Sequence, residues 1–214
     1  MNIYYCGKTK FENVISLNLL YFKYTPFYTY WNEYDYIVVS SKNGVEALNL
    51  FLIDWQKIPV LCIGQQTAKK VMENGGKPEY IGINNTAYDF GFNVLEKVQR
   101  KRVLIVGSMF PSYDLNKFFL ENRVKSKYEV GYEVKISNSK EIINKEEEIY
   151  IILTSPKYYN SFKINYGWRD TYVAICIGPT TYNSLPNDIN KYISDEMSVE
   201  SCIEKTKELK EQRK

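Results

Sequence analysis

The stretch Tyr36-Ile-Val-Val-Ser-Ser41 returns as Tyr150-Ile-Ile-Leu-Thr-Ser155, and Leu61-Cys-Ile-Gly64-Gln-Gln-Thr67 returns as Ile175-Cys-Ile-Gly178-Pro-Thr-Thr181. Both pairs share an offset of 114 residues, and Tyr36, Ile37, Ser41, Cys62, Ile63, Gly64 and Thr67 are identical in the second copy. One offset shared by two separate segments marks a duplicated structural unit. In each copy a short apolar, β-rich run meets a small polar turn and then a segment with helical spacing, which is how parallel β-α units read. In the first half the strand and helix segments are residues 36–39 with 44–51, 60–63 with 67–72, 80–81 with 88–98, and 103–106 with 113–122. The second half supplies only 150–153, 173–177 and 192–193, the last followed by the charged helix 199–211.

The strand missing from the second half lies at the other end of the chain. Ile3-Tyr-Tyr-Cys-Gly7 has the pattern of Val103-Leu-Ile-Val-Gly107, closing glycine included. The expected fold is therefore α/β, with two flavodoxin-like or Rossmann-like parallel-sheet lobes joined by a two-stranded β connector and the N-terminal strand wrapped into the C-terminal lobe. Residues 1–24 and 137–214 make lobe one, 33–127 lobe two, and 25–32 with 128–136 the connector. Tyr128, Val130, Tyr132 and Val134 alternate with Glu129, Gly131, Glu133 and Lys135, a period of two, and the run 19–27 is also extended in character.

Composition narrows the chemistry. The 214 residues are 44% hydrophobic, enough for one large domain or two small lobes, and 28 basic against 25 acidic residues give a charge of +3. That balance does not make nucleic acid an expected partner. The chain has no histidine, which removes a histidine general base, Ser-His-Asp and Cys-His arrangements and most catalytic zinc sites. Cys6, Cys62, Cys176 and Cys202 are widely spaced, two of them in strongly apolar runs, and read as buried thiols in a reducing compartment. No basic segment leads into an apolar core near the first residue, and no apolar run approaches about 18 residues, so a cytoplasmic, membrane-free chain is expected. The twenty tyrosines read as strand and interface material.

In open parallel sheets, ligands sit beyond the carboxyl ends of the strands, where turns lead into helix N-termini with unpaired amides. The repeat places four such turns symmetrically. Ser40, Ser41, Gly64, Gln65 and Thr67 are the binding candidates of lobe two; Ser155, Gly178, Pro179, Thr180 and Thr181 are those of lobe one. Each hydroxyl also has a plainer reading as a helix cap worth about 1 kcal/mol, and Pro156 and Pro179 suit a first helical turn. Four turns facing one shared cleft favour an anionic ligand, carboxylate or phosphate, that spans both lobes. No Walker loop, G-x-G-x-x-G pattern or metal-ligand cluster occurs, so nucleotide and metal enzymes are not favoured and no metal is expected. Gly75-Gly76 reads as a helix stop, Asn84-Asn85-Thr86 as a sequon without meaning in a cytoplasmic chain, and Glu146-Glu147-Glu148 as a solvated turn.

The segments VVSSKNGVEAL (38–48), CIGQQTAKKV (62–71), ILTSPKYYNSF (152–162) and CIGPTTYNSL (176–185) together resemble the uroporphyrinogen-III synthase family, with coverage from about residue 33 to the end. The resemblance implies a hydroxymethylbilane substrate bearing eight carboxylate arms, cyclised to uroporphyrinogen III with inversion of ring D and loss of water. It implies no cofactor, since the substrate is already reactive, and a monomer is expected. The family's tyrosine at the ladder's return maps to Tyr132 in VGYEVKIS (130–137), with Val134 where threonine is usual; a shifted alignment gives Tyr128, on the same face of an alternating strand. Tyr132 is thus the candidate proton donor, its plainer reading being a packed ladder tyrosine. The chain departs from the family after its first strand: Gly7-Lys8-Thr9 and aromatic, strand-like sequence replace an Arg-Pro-like turn and a full helix. The alternative function is a non-catalytic two-lobed module that binds a carboxylate- or phosphate-bearing small molecule.

Overall fold

The computed structural model describes residues 3–83, 86–139, 141–143 and 148–212. Asn84, Asn85, Glu146 and Glu147 lie outside them. The chain divides into two compact units, one of Met1–Tyr21 with Lys135–Lys214 and the other of Phe22–Val134. In chain order, unit 1 opens with β1 (Ile3–Cys6) and β2 (Ile15–Leu17), and β3 (Leu20–Tyr24) carries the chain into unit 2. There β4 (Tyr36–Val39), α1 (Lys42–Phe51), β5 (Pro59–Cys62), α2 (Gln65–Glu73), β6 (Lys77–Ile81), α3 (Ala87–Val98), β7 (Arg102–Ser108) and α4 (Leu115–Glu121) alternate. The long β8 (Lys125–Ile136) returns the chain to β9 (Ile149–Leu153), α5 (Pro156–Tyr166), β10 (Tyr172–Cys176), α6 (Pro179–Ser184), β11 (Asn190–Ile193) and α7 (Val199–Glu211).

The sheet of unit 1 has the order β11-β10-β9-β1-β2, all parallel, so the first strand is an inner strand among the last ones. The wrapped topology read from the closing glycines is what the sheet contains. The second sheet runs β3-β8-β7-β4-β5-β6. Its strands β4 to β8 pair in parallel. The outer pair is antiparallel, as the bonds from Thr25 N to the Gly131 carbonyl (3.0 Å) and from Ser137 N to the Leu19 carbonyl (2.8 Å) require.

Alternation decides which helices cover which face. In unit 2, Ile37, Val39, Val60, Cys62, Leu104 and Val106 pack under α1 and α2, whereas Val38, Leu61, Val103 and Ile105 pack under α3 and α4. Unit 1 repeats the scheme: Tyr4, Cys6, Ile151, Leu153, Ala174 and Cys176 face α5 and α6, and Ile3, Tyr5, Ile152, Val173 and Ile175 face α7. Both faces are buried, which is why these strands read as continuous apolar runs. The departure after β1 also has a clear form. Residues 7–14 link β1 directly to its parallel neighbour β2 without a helix, and Phe11 and Val14 from this link pack against the α7 face. Gly7 and Gly107 close their strands for one reason: a Cβ at Gly7 would lie 2.2 Å from the Tyr5 ring, and one at Gly107 2.4 Å from the Tyr128 hydroxyl.

Gly75-Gly76 ends α2 as expected. Gly75 takes φ +79°, its N–H meets the Met72 carbonyl, and Gly76 N–H meets that of Val71, the paired bonds of a Schellman stop. Among the described residues, no helix is long and apolar enough to cross a membrane.

One feature of β8 was not expected. Its register against β7 shifts so that Gly107 faces Val130 but Ser108 faces Tyr132, a β-bulge that absorbs Gly131. A Cβ on Gly131 would lie 2.6 Å from Ala47 Cβ and 2.9 Å from Val106 Cγ1. Gly131→Ala should therefore cost about 1–3 kcal/mol of stability by overpacking, measured as a lowered denaturation midpoint. All four cysteines are buried and unpaired, and burial pushes the Cys62 and Cys176 thiols up to about 12. Since the thiolate is the nucleophile, Ellman's reagent should leave the native protein essentially unlabelled at pH 8 and label all four thiols once it is denatured.

Candidate active site

Each of the four repeated turns begins where an inner strand ends. The residue before each helix is fully extended: Ser41 at φ −157°, Gly64 at −154°, Ser155 at −164° and Gly178 at −178°. The two turns of a unit are held side by side by equivalent bonds, Ile63 N to the Val39 carbonyl (3.2 Å) and Ile177 N to that of Leu153 (3.0 Å), again 114 residues apart. The helices that follow direct their first, unbonded amides past the strand ends, which favours negative charge there. Pro156 and Pro179 occupy the first helical turns of α5 and α6, where their missing N–H costs nothing.

The plain capping reading holds at only one of the four turns. Ser41 Oγ accepts from Gly44 N (3.3 Å) and caps α1. Ser155 heads α5 without a side-chain cap, and the caps of α2 and α6 are the glycines Gly64 and Gly178. Thr67 and Thr181 sit inside the first turns of their helices and are only 6% and 3% exposed. Ser40, Gln65, Pro179 and Thr180 are exposed, and Ser155 is half-buried. The four turns thus offer amides and a few exposed polar groups, while the two buried threonines fill space beneath them.

Around α1 the structure assembles something more specific. Tyr132 Oη lies 2.8 Å from Ser41 Oγ, so the expected tyrosine and the expected turn meet within unit 2. The ring is 6% exposed and packs edge-on against Phe22, its centroid 5.9 Å away. The bulge is what aims it. Two residues of the bulged strand, Gly131 and Tyr132, follow one another toward the α1 face, and Met109 N bonds the Tyr132 carbonyl at 2.8 Å. Tyr128, expected on the same face as Tyr132, is on the other one. Its hydroxyl donates to the Ser108 carbonyl at 2.6 Å, and its ring belongs to the cluster under α3 and α4. Period-two counting fails here because one bulge residue reverses the parity of every residue beyond it.

Two further residues of this group had no signal in the repeat. Tyr24 Oη, from β3, donates to Asn43 Oδ1 in the first turn of α1 at 3.2 Å. Gly44, one residue further along, lets α1 approach the sheet, since a Cβ there would lie 3.0 Å from the Val106 carbonyl oxygen. Burial holds the Tyr132 phenol above its ordinary 10.0, and the Ser41 hydrogen bond opposes that rise. Burial also raises Tyr24, and the Glu46 carboxylate and Tyr132 add to the rise. Tyr128 is raised by its own burial first of all. At neutral pH these phenols are protonated and can give a proton. Among the described residues no group of three or more Cys, Asp or Glu side chains is placed to hold a metal ion.

Comparison with known proteins fits this geometry. The family model described as uroporphyrinogen-III synthase HemD matches residues 13–204. No curated protein matches the sequence. Of solved structures, the uroporphyrinogen-III synthetase of Helicobacter pylori superposes with a TM-score of 0.81 at 23% identity, covering 97% of this chain and 99% of that one. A mutant uroporphyrinogen III synthase of Thermus thermophilus superposes at 0.60 and 14% identity, covering 98% of each chain. At such identities the two structures support the fold, and the family match carries the function.

An α/β protein of two predominantly parallel sheets, with paired strand-turn-helix units in each, is the class that fold and turns define. The chain belongs to the uroporphyrinogen-III synthase family. It is an enzyme of haem biosynthesis that closes linear hydroxymethylbilane to uroporphyrinogen III, inverting ring D and releasing water. The reading as a non-catalytic binding module is not favoured.

Because burial raises Tyr132, its phenol should remain protonated past pH 10.0. Titration of ring-labelled tyrosine by carbon NMR, with the Tyr132 signal assigned by its loss in Tyr132→Phe, should show it ionising above the ordinary phenol value of 10.0.

Proposed function

We propose that Tyr132 is the proton donor that assists departure of hydroxide from the hydroxymethyl group of the substrate. The observation that carries this reading is the 2.8 Å contact between its hydroxyl and Ser41 at the start of α1, on a ring that is only 6% exposed. The chemistry balances with one such group. The phenol gives its proton to the leaving oxygen, the C–O bond breaks with its electron pair on oxygen, and water departs. The ring A azafulvenium left behind is attacked by the substituted carbon of ring D, giving a spiro intermediate. That intermediate fragments and recloses at the free α-carbon of ring D, and the proton lost from that carbon restores the phenol. A donor of this kind typically contributes 10²- to 10⁴-fold.

Most of the protein's task is orientation. Spontaneous closure joins the chain ends without inversion, so selectivity requires the substituted carbon to be held against ring A, an effect of positioning and not of acid strength. Each unit offers the same pair of turns to the carboxylate arms. Gly64, Gln65 and Ser40 on unit 2, and Ser155, Gly178 and Thr180 on unit 1, present amides or exposed polar groups; Pro179, which has no N–H, fixes the first turn of α6, and Thr67 and Thr181 shape the turns from beneath. Anion capture by such amides needs neither histidine nor metal. In this reading residues 25–32 and 128–136 are the connector, and the enzyme works as a cytoplasmic monomer on a small molecule, without cofactor, nucleic acid or membrane.

The test generates hydroxymethylbilane in situ, adds protein, oxidises and separates the type I and type III isomers. Tyr132→Phe removes only the hydroxyl and should slow type III formation at least about tenfold, with type I isomer accumulating from uncatalysed closure. Tyr128→Phe, on the opposite face of β8, should keep the parental rate and lose stability instead. Type III formation at the parental rate in Tyr132→Phe would end the proton-donor reading. Thr180→Val, at an exposed position, should raise KM several-fold with an unchanged denaturation midpoint; an unchanged KM would remove that hydroxyl from the binding set.

A further inference from the structure

Ser41 and its repeat partner Ser155 occupy the same place in the duplicated fold, in the same extended conformation, yet their hydroxyls are differently engaged. Ser155 makes no side-chain cap bond. Ser41 Oγ has two partners, Gly44 N at 3.3 Å and Tyr132 Oη at 2.8 Å. A serine hydroxyl has one hydrogen and two lone pairs. Gly44 N–H takes one lone pair. The direction of the bond to Tyr132 then decides what Ser41 can do for the reaction.

If Tyr132 is to hand its proton to a leaving oxygen, its O–H must point away from Ser41, and the bond between them must be Ser41 donating to the phenol oxygen. The single serine hydrogen is then used, and none remains for a substrate carboxylate, which can only accept. Donation by Tyr132 and carboxylate binding through the Ser41 hydroxyl therefore exclude one another. Resting on the reading of Tyr132 as the donor, we propose that Ser41 is not a substrate ligand but a positioning residue, which fixes the direction of the Tyr132 proton and stabilises the phenolate that its loss creates.

The arrangement suits that role. As the proton leaves, the bond from Ser41 becomes a hydrogen bond to an anion, the stronger kind. Gly44 N–H polarises the serine oxygen from behind, so N–H, O–H and O⁻ form a chain whose members reinforce one another. The chain begins at the first turn of α1, a ten-residue helix whose N-terminus favours negative charge. Burial opposes phenolate formation at Tyr132, and the Ser41 bond is what counters it. Phe22 packs on the ring, and of the phenols near Tyr132 the Tyr24 hydroxyl is tied to Asn43 and the Tyr128 hydroxyl to the Ser108 carbonyl. None of these donates to the Tyr132 oxygen.

The experiment is a double-mutant cycle on the intact enzyme. Ser41→Gly removes the hydroxyl while keeping a residue well accepted before a helix, so the fold is kept. In the parental enzyme it should lower kcat about tenfold and leave KM within about twofold, the pattern of an interaction made only in the transition state. In the Tyr132→Phe background it should lower kcat no further. Carbon NMR of ring-labelled tyrosine should show the Tyr132 phenol ionising at higher pH in Ser41→Gly, and Ser41→Thr, which keeps the hydroxyl, should restore both readings. An equal fall in both backgrounds, or a rise in KM alone, would make Ser41 a substrate ligand and overturn the proposal. A silent Tyr132→Phe would overturn the donor reading and this one with it, whereas an impaired Tyr132→Phe beside a parental Ser41→Gly would overturn the positioning role alone.

Discussion

Helix α1 lies against the β7–β8 edge at a distance that only small residues permit. Gly131 meets Ala47 and the Val106 side chain, and Gly44 meets the Val106 carbonyl; an added methyl group would lie 2.6 Å from Ala47 Cβ at the first and 3.0 Å from the Val106 oxygen at the second. This approach brings the first turn of α1 within reach of β8, and with it the serine cap within 2.8 Å of a tyrosine that is 91 residues away in sequence. Close packing of this kind is rigid, because interiors have little free volume to take up a shift. The Tyr132 ring, 6% exposed, is thereby held in a wall that does not give.

The duplicated strand ends answer a different need. Their bonds, from Ile63 to Val39 and from Ile177 to Leu153, are the same bond made twice, and the extended residues before the helices agree to within about 25° in φ. Identity of backbone did not keep identity of side-chain use. One copy commits its serine to a tyrosine, while the other leaves its serine without a cap bond. On the proposed reading of Tyr132, hydroxide departs at ring A alone, so a proton donor is required beside one turn and not beside its repeat.

Much of this was legible in the chain. The offset of 114 residues located all four turns, and the closing glycines of Ile3–Gly7 and Val103–Gly107 placed β1 among the last strands, because each glycine answers to a tyrosine ring crossing the strand end. The helix stop at Gly75-Gly76 was readable from local chemistry alone. What escaped was decided by tertiary contact. The bulge at Gly131 arises from the demand of Ala47 and Val106 for space, and nothing within VGYEVKIS announces it. With the bulge unseen, Tyr128 and Tyr132 fell on one face by counting and on opposite faces in the molecule. The burial of Thr67 and Thr181 was likewise hidden, since a hydroxyl one turn inside a helix looks like a cap until the cap proves to be the preceding glycine.

The placement of β1 sets an order on assembly. Ile3 pairs with Tyr150, and between them lies every residue of unit 2. Unit 2 can thus close its own sheet while the chain is still being made, whereas β1, with Tyr4, Tyr5 and Ile3 all destined for burial, must wait until β9 follows. At about 5–20 residues per second that delay is on the order of ten seconds or more. For that time the edge of β1 that β9 will cover lacks its partner, the hazard that edge pairing between chains exploits. Once β9 arrives, its pairing with β1 joins the two chain segments of unit 1 by direct backbone bonds, so the attachment of the early strand is as firm as the sheet itself.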